Sequence, residues 1–252
     1  MSIVSTGAGH GGKKTGSTWY DPGAGGNGYN EADFTRQINQ KILAITKVVD
    51  TTDNCGTSAN GNLGNITAKI NAAADGWALS NHLNAFNGTA TGVEVLYGSP
   101  SSKAKAEELA AAIAKATGLP NRGAKDGTWL YIARNSRPGK KVLLIEWAFV
   151  DNKSDMQKLV KNLDKAIAAM LACFGYSASS GGGTPTGGTT KTVTIDTLNV
   201  YTTQSLDSKI VRFVHKNDKV KVTGTLKGQS VHGSTSWSEV DKYGWVPTVY
   251  LK

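Results

Sequence analysis

The chain has 252 residues, 39% apolar and 19% charged, which fits a folded globular protein of one to two domains and excludes a disordered or fibrous one. No apolar run approaches the ~20 residues of a membrane-spanning helix, so no membrane span is expected. The net charge is +9, with 19 basic and 14 acidic residues in 1–176 and 9 and 5 in 177–252. So diffuse a surface suits any polyanion, whether nucleic acid, anionic membrane or anionic wall polymer, and does not choose among them. No Lys/Arg run with interleaved aromatics marks a nucleic-acid groove, and no nucleic-acid partner is expected.

The opening MSIVSTGAGHGG has neither a basic segment nor a long apolar stretch and does not read as a secretory signal. Ile3–Val4 starts a strand that runs into a Gly-rich turn carrying His10. Asn30 is placed to cap a helix, with Asp33 three residues on, and Phe34, Ile38, Ile42 and Ile45 then recur at helical spacing. Val48–Val49 and Trp77–Ser80 are short strand candidates, and Val93, Val95 and Tyr97 alternate as strand residues do. Residues 101–117 predict an Ala-rich helix stopped by Gly118 and Pro120. KVLLI at 141–145 reads as a strand buried on both faces, and 154–174 as a long amphipathic helix. The alternation predicts an α/β domain over 1–176.

Residues 177–190, SASSGGGTPTGGTT, read as a flexible linker with a reach of roughly 20 Å. Beyond it, over 191–252, the periodicity changes to six short β segments: 192–195, 198–201, 210–215, 219–226, 236–240 and 243–247. Some 60 residues of this kind predict a small C-terminal β-barrel. Two cysteines, Cys55 and Cys173, are too few for a disulfide scaffold or a thiolate zinc site and read as ordinary, partly buried thiols.

Four histidines leave little to weigh. His10 follows the first strand, His82 follows Trp77–Ser80, and Glu146 ends the KVLLI run. If these strands are parallel in one sheet, all three side chains emerge at the carboxyl edge where open α/β sheets place their sites. Glu31, in the first turn after Asn30, is the best third ligand beside the two imidazoles, which leaves Glu146 as a proton acceptor. Each has an ordinary reading as well: His10 as a polar loop residue, Glu31 as a favourable helix N-terminal charge, His82 as a loop hydrogen-bonder, Glu146 as a partner of Arg134 or Arg137. His215 and His232 fall in the β region and read as surface or strand residues.

GAGHGG, YNEADF, SNHLNAF with GVEVLY, and VLLIEWAFVDNKSD, in that order over residues 2–174, resemble the zinc N-acetylmuramoyl-L-alanine amidases of bacterial and phage cell-wall lysis. The resemblance implies a mixed, largely parallel sheet flanked by helices. It also implies one zinc ion on His10, Glu31 and His82, with Glu146 as the catalytic carboxylate. Asn84 and Asn152 match polar positions of the motifs and carry no assigned role. The sequence departs from the family pattern in Thr6–Gly7–Ala8–Gly9 before the first His, and in Trp147, where a small residue is usual. Asp-Pro-Gly-Ala at 21–24 falls where the family often carries Pro-Gly-Ala.

The segment from LNVYTTQS to YGWVPTVYLK is similar to bacterial SH3-type wall-binding domains. Together the two resemblances imply a peptidoglycan hydrolase cutting the amide between N-acetylmuramic acid and L-alanine, with peptidoglycan, and anionic wall polymers beside it, as partners. The layout resembles a phage endolysin, held in the host cytoplasm until a holin releases it to the wall. A bacterial autolysin of the same chemistry is the alternative. A zinc peptidase cutting within the stem peptide is another, disfavoured because Lys13 stands where a His-x-x-Glu pair needs its Glu and no His-Glu-x-x-His occurs.

Overall fold

In the computed structural model, which describes residues 1–12, 19–176, 188–201, 203–208, 210–240 and 244–252, the chain divides into two units, Met1–Ala178 and Ser179–Lys252. In the first unit the chain runs β1 (Ile3–Ala8), β2 (Gly25–Gly26), β3 (Tyr29–Asn30), α1 (Glu31–Thr46), β4 (Val49–Asp50), α2 (Ala59–Ala72), β5 (Gly76–Asn84) and β6 (Val93–Tyr97). It continues through α3 (Lys103–Thr117), β7 (Asn121–Asp126), α4 (Tyr131–Arg134), β8 (Lys140–Phe149) and α5 (Lys153–Ala172). Six strands form one sheet in the order β4-β1-β5-β8-β6-β7, parallel throughout except where β6 meets β8. This is the mixed, largely parallel sheet flanked by helices that the resemblance implies.

The period-2 alternation of strands decides what each sheet face does. Leu79, Leu83, Val93, Val95, Leu143, Ile145 and Trp147 turn to one face, where α1, α3 and α5 cover them with Phe34, Ile38, Leu109, Ile113, Leu159 and Met170. Ala78 and Val142 turn to the other, against Ile66 and Ile70 of α2 and Ile132 of α4. Glu146 follows the same alternation onto this second face, while Trp147 is fully buried on the first and donates its Nε1–H to Asn81 Oδ1 at 3.1 Å. The unusual tryptophan is therefore a core residue rather than a pocket residue.

A buried polar network pins α1 to the sheet. Thr6 Oγ1 donates to Asn39 Oδ1 at 2.8 Å, Asn39 Nδ2 donates to Asp50 Oδ1 at 2.9 Å and Thr52 Oγ1 at 3.0 Å, and Asn81 Nδ2 reaches Thr6 Oγ1 and the Gly7 carbonyl. With every member paired, the network fixes the height of α1 on the sheet rather than burying orphaned polar groups. That height matters because the first residue of α1 is Glu31. The start of the helix is set as the sequence predicts: the Asn30 side chain accepts from the Asp33 N–H at 2.9 Å and donates to the Asp33 carboxylate.

Several boundaries move. β5 runs on to Asn84 and β8 to Phe149, so His82 and Glu146 lie inside strands rather than after them. Helix α2 and strand β7 were not predicted at all. Cys55 is exposed and Cys173 half-buried, and neither forms a disulfide. Among the described residues no helix is long and apolar enough to cross a membrane.

In the second unit, β9 (Thr189–Thr192), β10 (Thr197–Tyr201), β11 (Ile210–His215), β12 (Lys219–Val231), β13 (Ser234–Val240) and β14 (Gly244–Pro247) form an antiparallel sheet in the order β11-β10-β14-β13-β12-β9. Its curled shape agrees with the predicted small barrel, and Leu198, Val200, Val214, Val220, Val240 and Val246 fill it. Tyr201, Val231 and Trp237 form a separate buried cluster. Strand β9 takes in Thr189 and Thr190, which the sequence reading gave to the linker; residues 177–187 of that segment lie outside the described residues. His215 and His232 are exposed in this unit.

Candidate metal centre

The site forms where β1 and β5 end beside the N-terminus of α1. Gly9 directly follows β1 and its N–H donates to the Asn81 carbonyl at 2.9 Å, which holds the turn against β5. A side chain at Gly9 has no room: a Cβ there would fall 2.1 Å from Cε1 of His82. The glycine of the GAGHGG motif therefore admits the His82 imidazole to the site, and His10 follows with a positive φ of 58°. Residues 13–18, including Lys13, lie outside the described residues.

Glu31 is the hub. It is buried, with only 3% of its surface exposed, yet its carboxylate is fully engaged. Oε1 lies 2.8 Å from His82 Nδ1 and accepts the Leu83 N–H at 3.1 Å; Oε2 lies 3.2 Å from His10 Nε2 and accepts the Ala24 N–H at 2.9 Å. The two imidazoles meet edge to face with centroids 5.2 Å apart. One ligand atom from each of His10, Glu31 and His82 lies within 4.8 Å of the others, so the three predicted ligands, drawn from two strand ends and a helix, do converge. Two imidazoles and a carboxylate around one point suit a divalent transition metal with an open coordination position.

Asp21, which the sequence analysis gave no role, joins the cluster through His10. Its Oδ2 lies 2.7 Å from His10 Nδ1, and its Oδ1 accepts the Gly23 N–H at 2.9 Å. A carboxylate on the far nitrogen of a ligating histidine fixes the ring and its tautomer. The signal was in the sequence, as the Asp of the Asp-Pro-Gly-Ala string at 21–24. His82 is steadied likewise by Ser80 Oγ, 3.1 Å from its Nε2.

Glu146 stands on β8 directly opposite His82 on β5. Neither Arg134 nor Arg137 bonds it, so the ion-pair reading fails; Arg137 donates instead to the backbone of Asn71. Its Oε2 is buried without a hydrogen-bond partner among the described residues. Burial, followed by repulsion from Glu31 and Glu94, pushes its pKa up to about 8, so this carboxyl exchanges a proton near neutrality. Asn152, by contrast, is the N-cap of α5, and its side chain accepts the Ser154 and Asp155 N–H groups. Beside the histidines a cavity of about 190 Å³ is walled by Leu63, Ile66, Leu130 and Leu144, an apolar seat next to the polar cluster.

Residues 5–173 match the N-acetylmuramoyl-L-alanine amidase family and residues 196–252 the bacterial SH3 domain. The chain belongs to the N-acetylmuramoyl-L-alanine amidase family. Among solved structures, it resembles the catalytic domain of the CD27L endolysin targeting Clostridia Difficile, at 24% identity over 70% of this chain and 98% of that one, with a TM-score of 0.60. It resembles Cwp6 from Clostridium difficile at 31% identity, over 69% of this chain and 28% of that one, with a TM-score of 0.54. An N-acetylmuramoyl-L-alanine amidase from Clostridium difficile 630 matches at 25% identity over 68% of this chain and 94% of that one, with a TM-score of 0.55. A comparison with curated protein sequences finds no significant match. Family and fold together support an amide hydrolase acting on peptidoglycan.

The metal-free site has its own pH signature. Burial alone would lower the His10 pKa, but Glu31 and Asp21 override it and raise the pKa to about 9. Because the folded value lies above the ordinary one, the stability that this pairing contributes is fully present below about pH 6.5 and is lost as pH rises through about 9. The melting temperature of chelator-treated protein is therefore expected to fall between pH 6.5 and 9.5, and Asp21→Asn is expected to flatten that fall.

Proposed function

We propose that this protein is a zinc-dependent N-acetylmuramoyl-L-alanine amidase that cleaves the amide between N-acetylmuramic acid and the L-alanine of the stem peptide. The observation that carries this reading is the convergence of His10, Glu31 and His82 within 4.8 Å beside the unpartnered carboxyl of Glu146. The three side chains would hold the one ion: Asp21 orients His10, Ser80 steadies His82, and the Ala24 and Leu83 N–H groups hold Glu31. When bound, zinc supplies Lewis-acid polarisation of the amide carbonyl and acidifies water. Glu146 takes the proton of the attacking water on its free Oε2 and returns it to the departing amine of L-alanine. With the Glu31 charge engaged by a bound ion, part of the repulsion that raises the Glu146 pKa would be offset, and Glu146 would accept a proton at neutral pH.

We further infer that the two parts work as a phage endolysin. Residues 1–176 are the enzyme, residues 177–190 the tether, and residues 191–252 bind the wall, with peptidoglycan, and anionic wall polymers beside it, as partners. The enzyme stays in the host cytoplasm until a holin admits it to the wall. Support comes from the pairing of an amidase domain with a bacterial SH3 domain, a layout that a bacterial autolysin shares.

Mass spectrometry of digested murein tests the chemistry. Free lactyl carboxyls together with peptides beginning at L-alanine are expected, whereas split stem peptides would mean a peptidase. Glu146→Gln is expected to keep zinc and melting temperature while turnover falls roughly 10²- to 10⁴-fold, the range for losing an acid–base group. His82→Ala is expected to lose zinc as well, because it removes one of three protein ligands.

Two further results are expected. Protein truncated after Tyr176 keeps its turnover on soluble murein fragments but binds whole walls more weakly, since tethering raises the local concentration of enzyme at the wall; sedimentation with purified walls measures the loss. Expressed inside bacteria, the full chain lyses cells only when a holin is co-expressed, read from culture turbidity. Lysis without a holin would favour the autolysin.

A further inference from the structure

The face of the sheet that carries Glu146 continues away from the histidines into a cleft of about 490 Å³, lined by Asn84, Phe86, Glu94, Arg122 and Phe149 among others. One side chain in this cleft is built into place. Arg122 Nε donates to Glu94 Oε2 at 2.7 Å, and Glu94 Oε1 accepts in turn from Asn84 Nδ2 at 2.9 Å. The guanidinium lies 5.0 Å from the centroid of the Phe149 ring, in cation–π range. Its stem rests on the bare face of Gly92, where a Cβ would come 3.0 Å from Arg122 Cγ. Carboxylate, ring and glycine thus fix a long side chain that would otherwise keep several rotamers. Only Nε is used: the two terminal nitrogens of Arg122 have no hydrogen-bond partner among the described residues.

Register gives the spacing. His82 on β5 pairs with Glu146 on β8, and Glu146 pairs with Glu94 on β6. Arg122, on β7 next to Asn121, which pairs with Val93, comes beside Glu94. Adjacent strands lie about 4.8 Å apart, so the guanidinium, drawn back over Glu94, sits roughly one to two strand spacings from Glu146.

We propose that Arg122 is a specificity-determining residue that binds, through its two free terminal nitrogens, the first carboxylate of the peptide on the leaving side of the scissile amide. This rests on the amidase reading above. In that substrate the muramic carboxyl is itself tied up in the amide and the sugars are neutral, so the nearest negative charge belongs to the residue after L-alanine, a γ-linked glutamate with a free α-carboxylate. Two extended residues at about 3.3 Å each span the distance from the scissile nitrogen to the guanidinium. A planar fork with free N–H groups matches a carboxylate, which only accepts. A carboxamide turns donors towards donors on one side. The cleft therefore selects stems whose glutamate is free over stems in which it is amidated.

The test uses the full zinc-loaded chain and two synthetic substrates in which the γ-carboxyl is capped as a methylamide, N-acetylmuramoyl-L-alanyl-D-glutamate γ-methylamide with a free α-carboxylate and the same compound with its α-carboxyl amidated. The carboxylate is expected to be preferred about 10- to 100-fold in kcat/KM, chiefly through KM, the range for one charge-assisted contact. Arg122→Gln is expected to abolish the preference, and Arg122→Lys, which keeps a cation beside Glu94, to restore part of it. Calorimetric binding of L-alanyl-D-glutamate γ-methylamide and its α-amide gives the same comparison without turnover, with melting temperature and zinc content as controls on folding. Equal kcat/KM for the two substrates with wild-type protein would overturn the inference and leave the amidase reading standing. So would an Arg122→Gln variant that slows both equally, since Arg122 would then serve only to neutralise Glu94. Cleavage of some other bond in both substrates would instead remove the amidase reading itself.

Discussion

Burying the Glu31 carboxylate is the constraint to which the rest of the first unit answers. A buried, unpaired carboxylate is too costly to persist, so every element near it supplies a partner: β1 through His10, β5 through His82 and the Leu83 N–H, and the segment before α1 through the Ala24 N–H. With two imidazoles and two amides around it, the carboxyl is held well below its ordinary pKa despite its burial. The same arrangement brings together three side chains able to hold a metal ion. The Thr6–Asn39–Asn81 network is the support for this, since it sets the height of α1 and so of Glu31 at its first residue.

The sheet turns that point into a line of chemistry. Because β5, β8, β6 and β7 are neighbours in the sheet, His82, Glu146, Glu94 and Arg122 stand in a row across one face. Each member changes the next. Glu31 and Glu94 both repel a second negative charge, and together with burial they keep Glu146 protonated to an unusually high pH. Arg122 in turn offsets Glu94. The placement of His82, Glu146, Glu94 and Arg122 along this face thus follows from strand order together with the side-chain period of two.

Much of this was legible in the residues, and the remainder has physical reasons for being hidden. The start of α1 could be read because Asn30 and Asp33 form a local cap that needs no tertiary context. The strand ends were misjudged because Asn81, His82, Asn84 and Glu146 are polar and look like loop, whereas the site needs polar residues at strand tips. Helix α2, ANGNLGNITAKINA, holds two glycines and four asparagines; it is helical because Ser58 caps it and Ile66 and Ile70 pack on Ala78 and Val142. β7, NRGAKD, is a polar edge strand with no alternation to betray it. His10, Glu31, His82 and Glu146 were all named from the residues and the family resemblance. Glu94 and Arg122 were not, because their pairing depends on which strands are neighbours, and periodicity says nothing of that; Asp21 was not, because its contact with His10 comes from a segment between strands that carries no periodicity.

We propose one preorganised zinc site on His10, Glu31 and His82, with Glu146 beside it. Crystals of the zinc-loaded protein, measured on both sides of the zinc absorption edge, test this most directly. A single anomalous peak is predicted, about 2.0–2.2 Å from one nitrogen of each histidine and one oxygen of Glu31, with Glu146 outside the ligand set. A peak that includes Glu146 as a ligand, or one that omits any of the three, would contradict the account.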